Sequence, residues 1–271
     1  MPMANVAAGH YEPDGNGDGR KVCINLYSEP NENDPNRPMR HVMRPGSLDV
    51  DTGNALTGIP RGVGQADGHA GGKVLIVQGT TVRTFDPSGN VWSALTGSLA
   101  AASDRIDSAF SENEGAILSG GDIYVSTGTS IATATDADYA TLLSNHGQTQ
   151  FTSVASLGQR LIATFGSRFC FSDTLDFNNT STLSFYTAES SPDALVAARV
   201  LQGSLYLFGT ETIERWIETG DNDAPFRPQT SSVMNRGCLA RDTIVQLDNT
   251  LFFVGNDYGV YRLDGLTPRL I

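Results

Sequence analysis

The stretch Val154-Ala155-Ser156-Leu157-Gly158-Gln159-Arg160-Leu161-Ile162-Ala163-Thr164-Phe165-Gly166-Ser167-Arg168-Phe169-Cys170-Phe171 decides the reading of the fold. A weak apolar run, Val154–Leu157, comes first. Gly158 and Gln159 make a turn, and a strong apolar run follows at Leu161–Ala163. Gly166 turns the chain again, and Phe169-Cys170-Phe171 closes the unit. Nothing here has the 3.6-residue period of a helix. Short β-rich runs between Gly turns mark antiparallel hairpins, in which Gly and Asn supply the positive φ angles.

The same order recurs along the chain. Strong runs open at Val74, Ile123, Leu161, Leu205 and Leu251, at separations of 49, 38, 44 and 46 residues. Weak runs precede three of them, at Val154–Leu157, Val196–Leu201 and Ile244–Leu247. A Gly turn follows each (Gly79, Gly128, Gly166, Gly209, Gly255), then an alternating strand such as Val82-Arg83-Thr84-Phe85 or Ile213-Glu214-Arg215-Trp216. Self-similarity at about 40–45 residues with three or four strands per unit is a β-propeller signature. One unit cannot bury both faces of its small sheet, so units stack around an axis. The expected fold class is all-β: a β-propeller-like body of about five recognisable three- to four-stranded units. A β-sandwich is the alternative. Only Asp136–Ser144, with Tyr139, Leu142 and Leu143, has helical spacing.

Composition divides the chain near residue 72. Residues 1–72 hold 19 Gly plus Pro, while the much longer remainder, 73–271, holds 22. The first stretch has one clear apolar cluster, Val22-Cys23-Ile24-Asn25-Leu26-Tyr27. Residues 1–72 therefore read as an extended Gly/Pro-rich arm with one strand near 22–27, and residues 73–271 as the propeller domain.

The 271 residues carry 18 basic and 30 acidic side chains, a net charge of −12. Sequence-reading DNA binding shows a basic stripe, and none is present. An anionic membrane surface is disfavoured on the same ground. No segment approaches the roughly 18 consecutive apolar residues of a membrane helix. Met1–Asp14 lacks the basic and apolar regions of a secretory leader. Three distant cysteines, Cys23, Cys170 and Cys238, fit reduced structural thiols of a protein made in a cytoplasm.

Catalytic patterns are missing. His10, His41, His69 and His146 stand at no zinc-ligand spacing, and there is no HExxH, CxxC, P-loop or GxSxG. Asp14-Gly15-Asn16-Gly17-Asp18-Gly19 looks like the opening of a calcium loop. Lys21, however, stands where an apolar anchor belongs, and Asn25 where a bidentate Glu would close the loop, so a polar turn is favoured. Gly62–Gly68 has the glycines of a dinucleotide loop without its strand and helix. Phe85-Asp86-Pro87-Ser88-Gly89-Asn90-Val91-Trp92 resembles the Asp box of sialidase-like propellers, which is a structural β-turn. A propeller glycosidase needs two carboxylates converging in a central cavity, and no pair among the 30 acids stands out. No cofactor, metal or catalytic residue is expected.

Ordered motifs near the two ends are more specific. Cys23-Ile24-Asn25-Leu26-Tyr27-Ser28-Glu29-Pro30 resembles the C-x-N-x-Y-x-E start of the phage stabilisation proteins, and Arg44-Pro45-Gly46 the Pro-Gly that follows it. Gly209-Thr210-Glu211-Thr212-Ile213-Glu214-Arg215-Trp216 is similar to their G-S-E-T-I-E-x-W. Thr219-Gly220-Asp221 with Pro225-Phe226-Arg227 resembles T-G-D…P-F-x-R, and Pro228 departs from it. Arg236-Gly237-Cys238-Leu239-Ala240 resembles R-G-C-x-A, Leu247–Gly255 resembles L-D-N-T-L-F-W-L-G, and Thr267–Ile271 resembles x-P-x-R-I. Residues 73–200 carry the pattern without a motif.

The resemblance is to the tail-hub, packaged-DNA stabilisation family of short-tailed, P22-like phages. It implies a virion structural protein of the tail, made in the host cytoplasm and assembled as a homo-oligomeric ring, usually a hexamer. It implies a portal or adaptor protein above, fibre, spike or needle proteins around or below, and genome DNA passing through the lumen without sequence-specific binding. An acidic lumen would repel phosphates rather than hold them. Catalysis is not expected; a propeller glycosidase or carbohydrate-binding protein is the alternative. Family members continue past the strand at which this chain stops, which implies closure by the N-terminal strand, or a distal part of the tail tube that is shortened or supplied by another protein.

Asn25, Tyr27, Glu29, Glu211, Glu214, Trp216, Pro225, Phe226, Arg236 and Asn249 are the motif residues offered for subunit contact. For Glu211 and Glu214, which flank Ile213, a solvated strand edge is the plain alternative. For Arg236 it is a turn cap. Cys238 reads as a small packed side chain. Pro225 and Phe226 read as a subunit anchor, since aromatic residues favour interfaces. The arm is expected to wrap a neighbour or the adaptor.

Overall fold

The computed structural model describes residues 59–65, 69–86, 88–89, 91–100, 103–188 and 193–271, and the backbone of two earlier strands. The chain divides into two compact units, Met1–Thr52 and Gly53–Ile271. In the first, β1 (Leu26–Pro30) pairs antiparallel with β2 (Met39–Met43), with Tyr27 opposite Val42 and Glu29 opposite Arg40. The strand expected near 22–27 thus begins at Leu26 and has a partner. Asn25, Cys23, His10 and the calcium-like loop lie outside the described residues.

The second unit is a five-bladed β-propeller, each blade a four-stranded antiparallel meander. Blade 1 holds β3 (Pro60–Gly64), β4 (Val74–Gln78), β5 (Thr81–Asp86) and β6 (Val91–Ala94). Blade 2 holds β7 (Asp107–Phe110), β8 (Gly115–Ser119), β9 (Asp122–Ser126) and β10 (Ile131–Thr133). Blade 3 holds β11 (Ser153–Leu157), β12 (Arg160–Phe165), β13 (Arg168–Asp173) and β14 (Asp176–Thr187). Blade 4 holds β15 (Leu195–Leu201), β16 (Ser204–Gly209), β17 (Ile213–Glu218) and β18 (Phe226–Pro228). Blade 5 holds β19 (Val245–Leu247), β20 (Thr250–Val254), β21 (Val260–Asp264) and β22 (Thr267–Leu270).

Two boundaries differ from those expected. The arm does not run to residue 72, because Pro60–Gly64 pairs with Val74–Gln78 and belongs to blade 1. The strong run at Ile123 is a third strand, not a second; the second strand of blade 2 is Gly115–Ser119. With that phase corrected, second strands begin at Val74, Gly115, Arg160, Ser204 and Thr250, at even separations of 41, 45, 44 and 46 residues.

The turns follow backbone sterics. Gly158 and Gln159 stand at φ 61° and 60° between β11 and β12, which closes a two-residue hairpin with Leu157 opposite Arg160. Gln202-Gly203 and Asp248-Asn249 repeat this between the first two strands of blades 4 and 5. Asn249 is thus a turn residue. In the Asp-box-like segment, Asp86 Oδ1 accepts from the Ser88 N–H at 3.0 Å, and Trp92 packs 4.8 Å from Phe85.

Strand pleating sends alternate side chains to opposite blade faces, and the cores lie between blades. Leu75, Val77 and Val82 meet Ile117 and Tyr124 of blade 2. Ala116, Leu118, Ile123 and Val125, on the other face of blade 2, meet Leu161, Ala163, Phe165 and Cys170. Ile162, Phe169 and Phe171 meet Leu205, Leu207 and Trp216. Tyr206, Phe208 and Ile213 meet Leu251, Phe253, Tyr261 and Leu263. The short helix α1 (Ala137–Asn145) adds Tyr139, Leu142 and Leu143 to the core of blades 2 and 3. Asp136 caps it, its Oδ1 accepting from the Asp138 N–H at 2.9 Å.

Candidate functional site: the blade axis and the motif network

The first strands of blades 2, 3 and 4 touch one another, and a charged relay joins them there. Asp107 Oδ2 accepts from Ser153 Oγ at 2.7 Å, the Val154 N–H at 3.1 Å and Arg199 Nη1 at 3.0 Å. Arg199 Nη1 also donates to the Ala198 carbonyl at 2.7 Å, and the Ala198 N–H to Ser153 Oγ at 3.2 Å. Three blades are thus tied through one carboxylate. From the segment before blade 5, Arg241 donates to the Thr152 carbonyl at 3.1 Å and the Arg105 carbonyl at 3.0 Å, both at the entries to other blades.

Beside the relay, Arg61 is sealed from solvent. It donates to the Asp104 carbonyl, the Gly79 carbonyl, Asp104 Oδ1 and Ser119 Oγ at 2.9, 2.7, 2.7 and 2.5 Å. Burial raises the Asp104 carboxyl, but the Gly120 N–H and the Arg61 guanidinium outweigh it and hold it below the usual carboxylate range. A buried charge needs such full pairing. Within this axial group Asp104 and Asp107 each meet an arginine and a backbone donor. Among the described residues, no group of His, Cys, Asp and Glu is placed to hold a metal, and no helix is long and apolar enough to cross a membrane.

A second network gathers the motif residues between blades 4 and 5. Exposed Glu211 accepts from Asn256 Nδ2 at 3.1 Å. Arg236 Nη1 donates to Asp257 Oδ2 at 2.9 Å, and its guanidinium lies 4.8 Å over the Tyr261 ring. The Tyr261 hydroxyl donates to Asp257 Oδ2 at 2.6 Å, and with the Gly259 N–H it holds that carboxyl below its usual range. Arg236 therefore clamps the Asn256-Asp257 turn. Gly237 threads between the two blades: a Cβ there would stand 1.8 Å from the Thr210 carbonyl oxygen. Cys238 is buried, which raises its thiol. Cys170, wholly enclosed, is pushed up to about 12.

The other motif residues divide by burial. Glu214 is 3% exposed, so it is not a solvated edge; its Oε2 accepts from Trp216 Nε1 at 3.0 Å. Trp216 packs edge-on 5.1 Å from Phe169. Pro225 is buried, and Phe226, 2% exposed, lies 5.6 Å from Phe171 in the core of blades 3 and 4. Burial inside the chain leaves little of that ring for a neighbouring subunit. Tyr27 and Glu29 lie on β1. The axial residues Asp107, Ser153, Arg199 and Arg241 were missed. Their one signal is a charge inside an apolar strand, such as Arg199 in Leu195–Leu201.

Five four-stranded blades and a motif-built joint between the last two define a propeller of the phage stabilisation class. The family described as Bacteriophage P22 Gp10, beta-propeller, matches residues 8–263, and the chain belongs to that family. No curated protein matches the sequence. Among solved structures, the chain is similar to the WD40 β-propeller domain of Doa1, at 14% identity and a TM-score of 0.47, covering 75% of this chain and 62% of that one. It is also similar to PorZ, an essential bacterial surface component of the type-IX secretion system of Porphyromonas gingivalis, at 12% and 0.49, covering 90% and 31%. A third is the extracellular domain of the putative hybrid two component system BT4673 from B. thetaiotaomicron, at 8% and 0.47, covering 73% and 26%. The chain spans less than two thirds of each of these structures, and none of the three bears on its function.

Proposed function

We propose that the protein is a non-catalytic subunit of a tail hub or head-to-tail connector ring that extends the portal channel and stabilises packaged DNA. Family membership over residues 8–263 carries this reading. On it, the protein forms a homo-oligomer, of six copies as the resemblance implies, in the virion tail. A portal or adaptor lies above, and fibre, spike or needle proteins lie around or below.

The physical properties agree. Blades tied at the axis by Asp107 and Arg199 make a rigid body suited to a channel wall. A net charge of −12 supplies repulsion rather than the counterion-releasing contacts that hold DNA. The test is electron microscopy of virions together with mass measurement of the purified protein. A multi-copy ring next to the portal is expected. A monomer both in solution and in the virion, or its absence from virions, overturns the reading.

A further inference from the structure

His69 lies in the joint of blades 1 and 2, wholly buried. Its Nδ1 stands 3.4 Å from the Asn113 carbonyl and its Nε2 3.3 Å from Ser126 Oγ. The carbonyl can only accept, so Nδ1 carries the proton and Nε2 receives the Ser126 hydroxyl. Ser126 Oγ also accepts from the Gly128 N–H at 3.1 Å. The imidazole lies 5.4 Å from the Phe110 ring, and two glycines clear space for the pair. A Cβ at Gly64 of blade 1 would strike Phe110, and one at Gly115 of blade 2 would strike Phe110 and stand 3.0 Å from His69 Nε2.

The backbone that follows is strained. Ala70, Gly71 and Gly72 all take positive φ, at 53°, 69° and 76°. The left-handed conformation is unfavourable for a residue with a Cβ, such as Ala70. Contact with blade 2 holds Ala70 there: a Cβ on Gly128 would stand 2.9 Å from the Ala70 Cα. At the far end, Gln65 Nε2 donates to the Gly72 carbonyl at 2.9 Å. His69–Gly72 is thus a bent strap pinned by a neutral ring.

A protonated ring does not fit this pocket. Nε2 becomes a donor aimed at Ser126 Oγ, and the Ser126 hydrogen loses its acceptor. Among the described residues, no carboxylate stands by to offset the charge. On the 111–114 turn, Glu114 points its carboxylate to the Phe177 N–H of blade 3, and Glu112 is exposed. Asp107, on β7, is bound to Arg199, and Asp122, on β9, is exposed. Lys73, next along the chain, acts on Asp86 of β5. The Thr127–Ser130 turn carries no charge. An unpaired buried charge is costly.

We propose that His69 is an acid-sensitive pin: on taking up a proton it leaves its pocket, and the strap His69–Gly72 lifts from blade 2 while the rest of the propeller stays folded. The strain at Ala70 favours release once the pin is out. Burial holds the imidazole below its ordinary value, so it is the lifted ring that takes the proton as pH falls through about 6.5.

The test is hydrogen–deuterium exchange of the full chain at about pH 7 and pH 5, with rates corrected for the intrinsic pH dependence. Carboxylates stay ionised across this range. Peptides covering 69–76 and 123–130 are expected to lose about tenfold in protection at the lower pH. A peptide covering 204–218 in blade 4 should keep its protection. Unchanged protection in the first two, or an equal loss in all three, overturns the proposal. His69→Gln, neutral at both values, should abolish the difference between them, and a tenfold loss that persists in it also overturns the proposal. The unsubstituted protein decides alone if that variant does not fold. The readings come from the isolated chain, so they stand whether or not it forms a ring.

Discussion

Arg199 of blade 4 donates to Asp107 of blade 2 at 3.0 Å, across 92 positions of sequence, with Ser153 of blade 3 between them. Most packing in the propeller joins neighbouring blades. This contact spans two steps and sits where only 10% of the Asp107 side chain meets solvent.

Replacing Asp107 by Ala strands Arg199, Ser153 Oγ and the Val154 N–H at once. Removing one partner of a buried pair costs about 3 kcal/mol; because Arg199 keeps some solvent contact, the loss expected is nearer 2 kcal/mol. Urea denaturation of D107A, R199A and the double variant gives the coupling. Additive losses would show that the two side chains do not act together.

Gly237→Ala should be far worse than Gly203→Ala. At Gly237 a Cβ meets the Thr210 carbonyl, whereas at Gly203 nothing lies within 4 Å and only the positive φ, 69°, is strained. The Gly203 change is expected to cost about 1 kcal/mol, and the Gly237 change to part blades 4 and 5. Thermal melts followed by circular dichroism compare them, and equal midpoints would contradict the close approach.

Burial lowers the His69 imidazole below its ordinary value, against the pull of the Asn113 carbonyl. The unfolded chain takes up a proton near pH 6.5 that the folded one refuses, so stability is full above that pH and falls below it. His146, lowered by burial and then by Arg168, acts in the same sense. His69→Asn should flatten the fall in urea midpoint between about pH 7 and pH 5 while leaving part of it. An unchanged slope would rule His69 out as a source.

Phe226→Ala should act on stability first, with a loss of about 3 kcal/mol from the core of blades 3 and 4. Arg236→Ala, on a partly exposed side chain, should cost less than about 1 kcal/mol. Denaturation curves with sedimentation at matched concentration separate folding from assembly. A fully stable Phe226→Ala protein would contradict the packing seen here.

The propeller was legible because its turns are written in Gly and Asn at near-constant spacing, and because strands such as Leu205-Tyr206-Leu207-Phe208 are apolar on both faces, as inner blades require. Fourth strands were less visible: Ile131–Thr133 and Phe226–Pro228 are three residues long and carry little pattern. Pro60-Arg61-Gly62-Val63-Gly64 read as part of the arm because Gly and Pro usually break strands. Gly62 and Gly64 are there for space, since a Cβ would strike Ile106 at one and Phe110 at the other. Of the axial relay, only the charge of Arg199 inside an apolar strand shows in the sequence. Asp107, Ser153 and Arg199 become neighbours only when three first strands converge.

The Arg241 bonds, one of which spans 136 positions, can form only after every earlier blade has been synthesised. A meander of hairpins folds from local pairings as each emerges from the ribosome, but this crossing waits until synthesis has passed blade 4. It is the latch of the wheel: a nascent chain arrested before residue 241 would keep the Asp107–Arg199 tie of blades 2 to 4 but lack the bonds that bind the last segment to the entries of blades 2 and 3.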